Sequence, residues 1–179
     1  PRIRPWYTKT LVLEQPNWSQ IYPFTNGELG LTASRPLYDR DGQFMGIVGV
    51  DFVLGLIDNF LQSIQISPNA EIFILEPSGF LVATSTAEKP FLIEKKGGEK
   101  RLKIADSQNP KLRAIADYLH QNFEHLSQIE ETYQSDFKIG RERQFIQVVP
   151  HRDQFGLNWL IVVAIPEADF MGQIDANAR

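Results

Sequence analysis

The sequence predicts an α+β fold in which antiparallel sheets carry flanking helices, and three patterns support this class. Two runs rich in apolar and β-branched residues, Leu29–Leu37 and Gln43–Asp51, flank a polar turn, as in a β-hairpin. A second strand-turn-strand pattern begins after the boundary Ser67-Pro68-Asn69. The segments Val53–Ile64 and Leu112–Leu126 instead repeat apolar residues every three or four positions, which is typical of amphipathic helices.

Composition excludes several classes of protein. The chain has 179 residues, of which 42% are hydrophobic and 22% charged, as in ordinary globular domains. Its net charge of -4 and the absence of a basic stretch argue against nucleic-acid binding. The lack of cysteine excludes disulfides, thiolate catalysis and cysteine-ligated zinc. No run approaches the ~20 apolar residues of a membrane-spanning helix. We therefore expect no cofactor.

The opening of the chain indicates a short helix and then a loop. Pro5 and Pro16 punctuate this part of the chain, and we expect a helical turn over Trp6–Val12, followed by loop up to Pro23. The residues Tyr38–Gly42 form the hairpin turn. Their Asp-x-Asp-Gly pattern also occurs in calcium-binding loops, but the following residues supply no further oxygen ligands.

The second half of the chain alternates strands and helices. A charged, glycine-containing segment, Glu94–Lys103, is predicted to be a solvated loop, and Pro110 marks the start of a helix. A final helix is predicted from Glu167, after Pro166, to Arg179. The predicted strands are Ala70–Glu76, Phe80–Ser85, Thr132–Ile139, Gln144–Pro150 and Leu157–Ile165.

Five residues could together hold a small zwitterion. The Arg4 guanidinium and the Trp6 indole N–H are donors that suit a carboxylate, and arginine can bind it bidentately. The Asp51 carboxylate and the phenol oxygens of Tyr7 and Tyr22 suit a protonated amine. Two alternatives remain at this stage. The aromatic residues could be packed core residues beside a surface arginine, and Asp51 could cap the helix that follows it.

The spacing of these residues resembles a known family motif. The pattern Arg-x-Trp-Tyr at residues 4–7, then Tyr22, then an Asp closing Gly49-Val50-Asp51, resembles the amino-acid-binding motif of double Cache (dCache) sensor domains. In that family the Arg and Trp hold the ligand's carboxylate, and the tyrosines and Asp hold its ammonium group. The chain differs at Thr10, where the family usually has Ala, and an earlier family tyrosine would precede residue 1.

The resemblance implies two PAS-like (Cache) modules, each an antiparallel sheet with flanking helices. Residues 1–66 correspond to a membrane-distal, ligand-binding module that is incomplete at its N-terminus, and residues 67–166 to a membrane-proximal module. Residues 167–179 correspond to a helix that leads to a transmembrane segment. Because the chain opens inside its best motif, we expect it to be a segment of a larger protein.

The resemblance also implies a function. It is that of the extracytoplasmic, periplasmic sensing domain of a membrane-anchored receptor, such as a histidine kinase, a nucleotide cyclase or a chemoreceptor. The expected partners are an amino acid or similar small zwitterion and a second copy of the chain in the full receptor. The membrane is expected to be contacted only by flanking segments outside this chain. Two alternatives are a Cache sensor for a small organic acid and a ligand-free module for dimerisation or protein interaction.

The histidines do not suggest catalysis. His120 and His125 are five positions apart, about 140° around a helix, and so cannot share a metal ion from one face. His151 has no nucleophile motif such as Gly-x-Ser-x-Gly elsewhere in the chain. We therefore expect that this segment is not an enzyme and binds no metal.

Overall fold

The computed structural model describes residues 3–93 and 99–170, and the chain divides into two compact units. The first unit comprises residues 1–57 and 152–157, and the second comprises residues 58–151 and 158–179. Each unit contains its own antiparallel sheet. The sequence places the boundary later, between residues 66 and 67, and the assignment of the two segments as Cache modules stays a prediction.

The first unit is built on a four-stranded sheet. The elements are α1 (Pro5–Leu13), β1 (Asn17–Trp18), β2 (Tyr22–Pro23), β3 (Leu29–Tyr38) and β4 (Phe44–Val53). The central strand β3 pairs with β1 and β2 along one edge and with β4 along the other, since Gly30 is opposite both Tyr22 and Val53. The sequence predicts a loop where β1 and β2 lie, because two-residue strands are too short to show a period.

The β3–β4 hairpin is closed by the predicted turn. The Asp39 side chain accepts hydrogen bonds from the backbone N–H groups of Asp41 at 2.9 Å and Gln43 at 2.8 Å. Gly42 has φ +77°, which glycine adopts without strain. A bulge next to the turn leaves Met45 without an opposite residue, because Tyr38 pairs with Phe44 while Leu37 pairs with Gly46.

Helix α1 is fastened to the sheet by a buried hydroxyl group. Thr10 is fully buried, and its Oγ1 donates to the Trp6 carbonyl at 2.8 Å. The same oxygen accepts from Asn17 Nδ2 at 2.9 Å and lies 2.6 Å from Ser34 Oγ. Thr10 is one of the positions at which the sequence differs from the motif that it resembles. Its hydroxyl therefore ties the helix to β1 and β3 in a way that alanine could not.

Residues 152–157 complete the first unit. The Trp18 backbone N–H donates to the Phe155 carbonyl at 3.1 Å, and the Trp18 indole Nε1 donates to Asp153 Oδ2 at 2.6 Å. Burial favours a higher pKa for the Asp153 carboxyl, but hydrogen bonds from Leu157 N–H and from Trp18 hold that pKa below its usual value. This turn is therefore held by a charged acceptor and not by apolar packing alone.

Helix α2 (Leu54–Ser63) follows β4 directly. Its predicted apolar stripe is real, but only part of the stripe is buried. Leu54 and Leu61 are buried, whereas Leu56 is 67% exposed and Phe60 is 62% exposed. Large exposed apolar side chains on one helix face are unusual for a globular surface.

The second unit is a five-stranded antiparallel sheet covered by a helix. The elements of this unit are β5 (Glu71–Leu75), β6 (Leu81–Thr84), β7 (Phe91–Ile93), β8 (Glu99–Arg101), α3 (Pro110–Asn122), β9 (Tyr133–Ile139), β10 (Glu142–Arg152) and β11 (Asn158–Pro166). The strand order in the sheet is β6-β5-β11-β10-β9, and α3 packs its apolar stripe on the sheet through Leu112, Ile115 and Leu119. This confirms the α+β class and the predicted order of these five strands and the helix.

Two predicted segments differ in the structure or are only partly described. Part of the expected solvated loop Glu94–Lys103 is strand, because β8 pairs with β7, and Leu102 is buried. Residues 94–98 lie outside the described residues. Residues 167–170 are helical as predicted, and the rest of that helix, 171–179, also lies outside. Within the described chain, every helix is too short or too polar to cross a bilayer.

Candidate ligand-binding site

Four of the five predicted site residues line one cavity in the first unit. The cavity has a volume of about 580 Å³, which lies in the range of small-molecule pockets. Arg4 and Trp6 come from the start of α1, Tyr22 from β2 and Asp51 from β4. The remaining lining residues follow β2 in the chain, and they are Phe24, Thr25 and Asn26.

Arg4 offers a charged donor group to this cavity. Its backbone is extended, with φ -72° and ψ 145°, and its carbonyl accepts from Tyr7 N–H at 3.0 Å and Thr8 N–H at 3.1 Å. These bonds hold Arg4 at the N-terminus of α1. Over residues 3–93 and 99–170 its guanidinium has neither an ion pair nor a hydrogen bond. The side chain can therefore give its paired N–H groups to a ligand carboxylate.

Trp6 is held in place by close contact with a glycine of β4. A Cβ atom added at Gly49 would lie 3.4 Å from the Trp6 ring and 2.9 Å from the Thr32 methyl group. The indole ring therefore packs over Gly49 at ordinary contact distance, and the tighter limit on a side chain at this position comes from Thr32. Tyr7 does not line the cavity. Its ring packs edge-on against Trp6, with centroids 5.6 Å apart, which suits a supporting role.

Tyr22 and Asp51 are connected through a residue that the sequence did not single out. The Thr32 hydroxyl donates to Asp51 Oδ1 at 2.6 Å and lies 2.8 Å from the Tyr22 hydroxyl. Since Thr32 has one hydroxyl hydrogen and gives it to the carboxylate, Tyr22 must donate to Thr32. The Tyr22 oxygen is left with lone pairs only. This side of the cavity therefore presents acceptors, as an ammonium group requires.

The alternative that Asp51 caps α2 is wrong. Asp51 lies within β4, which continues to Val53, and α2 begins at Leu54. The N-cap position therefore belongs to Val53. The described partner of the Asp51 carboxylate is instead Thr32, which is also its cross-strand neighbour in the hairpin.

The residues that follow β2 were missed by the sequence analysis. Phe24 packs edge-on against Tyr22, with centroids 5.1 Å apart. It can lie there because Gly30 has no side chain: an added Cβ atom would be 2.4 Å from the Phe24 ring. A single sequence carries no periodic signal for such a loop. Gly30, inside a predicted strand, was the one indication of a close approach.

Comparisons with known proteins identify the fold. No family model matches the sequence, and no curated protein matches it. Among solved structures, the ligand-binding domain of the Pseudomonas aeruginosa amino-acid chemoreceptor PctB, in complex with L-Arg, is 18% identical with a TM-score of 0.57, over 94% of this chain and 61% of that one. The ligand-binding domain of Mlp24 with asparagine is 15% identical with a TM-score of 0.60, over 98% and 60%.

A third similar structure belongs to a different class of receptor. The extracellular domain of mmHK1S-Z2, described as a histidine kinase, is 16% identical with a TM-score of 0.57, over 94% of this chain and 57% of that one. The chain thus has the fold of these sensor domains, as the sequence predicted. It spans about three fifths of the length of each of the three structures.

Proposed function

We propose that this chain is part of the extracytoplasmic sensing region of a membrane-anchored signalling receptor and that it binds an amino acid or similar small zwitterion. One observation carries the proposal: Arg4 and Asp51, which are far apart in sequence, line the same cavity of about 580 Å³. A guanidinium that has no ion pair among the described residues and a carboxylate, on one cavity, complement a ligand that carries both charges.

Each end of the ligand has an assigned partner in this proposal. The ligand carboxylate binds the Arg4 guanidinium and the Trp6 indole N–H, which are donors. The ligand ammonium binds the free oxygen of Asp51 and the Tyr22 oxygen, which the bond to Thr32 leaves as an acceptor. Tyr7 supports Trp6 from behind. Phe24, Thr25 and Asn26 surround the ligand side chain.

The three similar structures are consistent with this function, but the proposal depends on the cavity of this chain. PctB is in complex with L-Arg and Mlp24 with asparagine, and both structures are ligand-binding domains. In this chain, a ligand that contacts both α1 and β4 favours conformations in which these two elements are close. A receptor can use such a population shift as its signal. We also propose that the full receptor is a homodimer and that a segment flanking this chain anchors it in the membrane.

Thermal unfolding of the purified chain tests the proposal. Amino acids and small organic acids are screened for a rise in Tm, because a ligand at 100 times its Kd stabilises the folded state by about 2.7 kcal/mol. Arg4→Ala and Asp51→Asn should each remove the response to amino acids. The matched controls are Arg35→Ala and Asp41→Asn, since both residues are exposed and lie outside the cavity lining.

The response pattern decides between ligand classes. A rise with amino acids that both site variants remove supports the zwitterion pocket. If organic acids alone raise Tm, and Asp51→Asn leaves that response unchanged, the ligand is a plain carboxylate and the amino-acid assignment fails.

A further inference from the structure

We infer that the second unit carries its own site for a small organic ammonium compound. The inference goes beyond the proposed function, because the site belongs to a different unit from the Arg4 cavity. A cavity of about 610 Å³ lies where β5, β10 and the N-terminus of α3 come together. Its wall is mainly polar and includes Glu71, Ser85, Thr86, Asn109, Lys111 and Glu142.

Glu71 has a buried acceptor atom that lacks a donor. It is the first residue of β5 and pairs with Ala164, which is fully buried, so its side chain lies on the core face of the sheet. Its Oε1 accepts from Asn109 Nδ2 at 3.3 Å. Its Oε2 is buried and has no hydrogen-bond partner in the part of the chain that the structure describes. A buried carboxylate oxygen without a donor is unfavourable.

The second carboxylate of the wall belongs to Glu142, at the exposed start of β10. Gln144 is two positions further along the same face of that strand and is 1% exposed, and its Oε1 also lacks a partner among the described residues. The wall itself therefore has one buried carboxylate oxygen without a donor and a second carboxylate, and it needs hydrogen-bond donors and positive charge.

Among the described residues, the wall supplies one positive charge for its two carboxylates. Lys111 is the basic residue of the wall, and its Nζ donates to the Asn69 carbonyl at 2.8 Å. Asn109 uses its Oδ1 to accept Lys111 N–H at 2.9 Å as the cap of α3. Two carboxylates facing one lysine leave the wall with a net negative charge. A cation is therefore the favoured occupant.

The hydroxyl groups on the wall indicate the rest of the ligand. Ser85 Oγ accepts from Ile72 N–H at 2.9 Å, and so its own hydrogen can be donated. Together with Thr86 it can bind a second polar group a few bonds away from the ammonium. An amino alcohol fits this pattern, since its hydroxyl can accept the Ser85 hydrogen, and a short diamine can instead place one ammonium group at each wall carboxylate.

Titration of the ¹⁵N-labelled protein with ethanolamine and with putrescine tests the site. Amide signals of Ser85, Thr86 and Asn109 should move in a saturable manner, and sodium acetate should leave them unchanged. Glu71→Gln should weaken binding about 10- to 100-fold, since it replaces a charged acceptor by a neutral amide. Glu124→Gln, an exposed carboxylate outside the wall, should have no effect.

Further variants make the outcome decisive. Glu142→Gln, at an exposed strand position, should also weaken binding. If Glu71→Gln does not fold, Glu142→Gln alone tests whether the wall carboxylates bind the ammonium group. Arg4→Ala should leave these amide shifts intact, which separates this site from the first cavity. The inference is overturned if neither amine moves the three amides at millimolar concentration, or if both Glu71→Gln and Glu142→Gln bind as tightly as the wild type.

Discussion

The Thr32 hydroxyl donates a 2.6 Å hydrogen bond to Asp51 Oδ1 across the β3–β4 hairpin. The two residues are direct cross-strand neighbours, so their side chains share one face of the sheet. Because Thr32 is 1% exposed, water does not reach the hydroxyl group that donates this hydrogen bond. This single hydroxyl determines the direction of the hydrogen bond with Tyr22, and thus which atoms the cavity offers to a ligand.

Replacement of Thr32 by valine should separate Tyr22 from Asp51. Thr32→Val keeps the side-chain shape but removes the acceptor of the buried Tyr22 hydroxyl and the donor to Asp51. We expect a loss of about 1–3 kcal/mol in the free energy of unfolding, together with weaker amino-acid binding. Urea denaturation and thermal shift measure the two effects. Thr32→Ser retains the hydroxyl and serves as the control. If Thr32→Val bound amino acids as tightly as the wild type, Thr32 would have no role in ligand binding.

Gly49 should tolerate no side chain. In Gly49→Ala the new methyl group would lie 2.9 Å from Thr32 Cγ2, so Thr32 or the strand must move, whereas the Trp6 ring at 3.4 Å is at ordinary contact distance. Overpacking of this kind costs about 1–3 kcal/mol, and a shift of Thr32, whose hydroxyl bonds to Asp51, should reduce ligand affinity as well. Gly55→Ala is the matched control, because nothing lies within 4 Å of its added Cβ atom. Equal stability of the two variants would contradict the close approach of Thr32 to Gly49.

The bulge at Met45 explains why the site could be predicted only in part. Residue types and spacing predicted Arg4, Trp6, Tyr7, Tyr22 and Asp51 as ligand-binding residues, and all of them except Tyr7 line one cavity. The role of Thr32 could not be seen, because an unbulged hairpin in the Tyr38–Phe44 register would place Asp51 opposite Leu31. One extra residue shifts the register and exchanges the face that each side chain occupies.

The fold was easier to predict than its short elements. The hairpin, α3 and the five strands of the larger sheet in the second unit have recognisable apolar patterns, so their types were predicted correctly. The strands β1, β2, β7 and β8 have two or three residues each, and their positions depend on pairing that so short a pattern does not show. Thr10 likewise shows its function only in three dimensions, where it contacts Ser34 and Asn17.

Asp58 should make the second unit less stable as the pH rises. Burial raises the pKa of its carboxyl, although the Thr84 N–H donates to it at 2.8 Å and Lys89 lies nearby. A raised folded-state pKa means that the folded form retains a proton that the unfolded form loses. The associated stability is therefore complete below the ordinary Asp pKa of about 4 and declines through the interval up to the folded-state pKa.

The variant Asp58→Asn tests this sign. The amide oxygen can still accept from Thr84 N–H, but it carries no charge to be desolvated. The Tm of the variant should exceed that of the wild type at pH 7, and the difference should shrink as the pH approaches about 4. Asp117→Asn, an exposed site on α3, controls for the loss of one negative charge. A lower Tm for Asp58→Asn at pH 7 would show that the charged carboxylate is stabilising.

Asp169 should have the opposite pH dependence. Asp169 is 8% exposed, and its carboxylate accepts three hydrogen bonds: from Ser67 Oγ at 2.5 Å, from Asn69 N–H at 2.8 Å and from Asn69 Nδ2 at 2.8 Å. The Ser67 hydroxyl and the Asn69 donors lower its pKa. Because the folded-state pKa is lowered, the stability from this group is present above the ordinary Asp pKa of about 4. It is lost as the pH falls through the folded-state value.

Asp169→Asn should reveal how strongly this carboxylate joins residues 167–170 to the segment after α2. The substitution replaces a carboxylate that accepts three hydrogen bonds by a neutral amide. The NH₂ group of that amide would point at the Ser67 or Asn69 donors. We expect a loss of about 1.5–3 kcal/mol at pH 7 by urea denaturation, because hydrogen bonds to charged groups are the stronger ones. The difference from the wild type should narrow below about pH 4, as the wild-type carboxylate becomes protonated. Asp117→Asn should show neither the loss nor its pH dependence, and a loss for Asp169→Asn that is constant between pH 7 and pH 3 would mean that packing, and not charge, holds this junction.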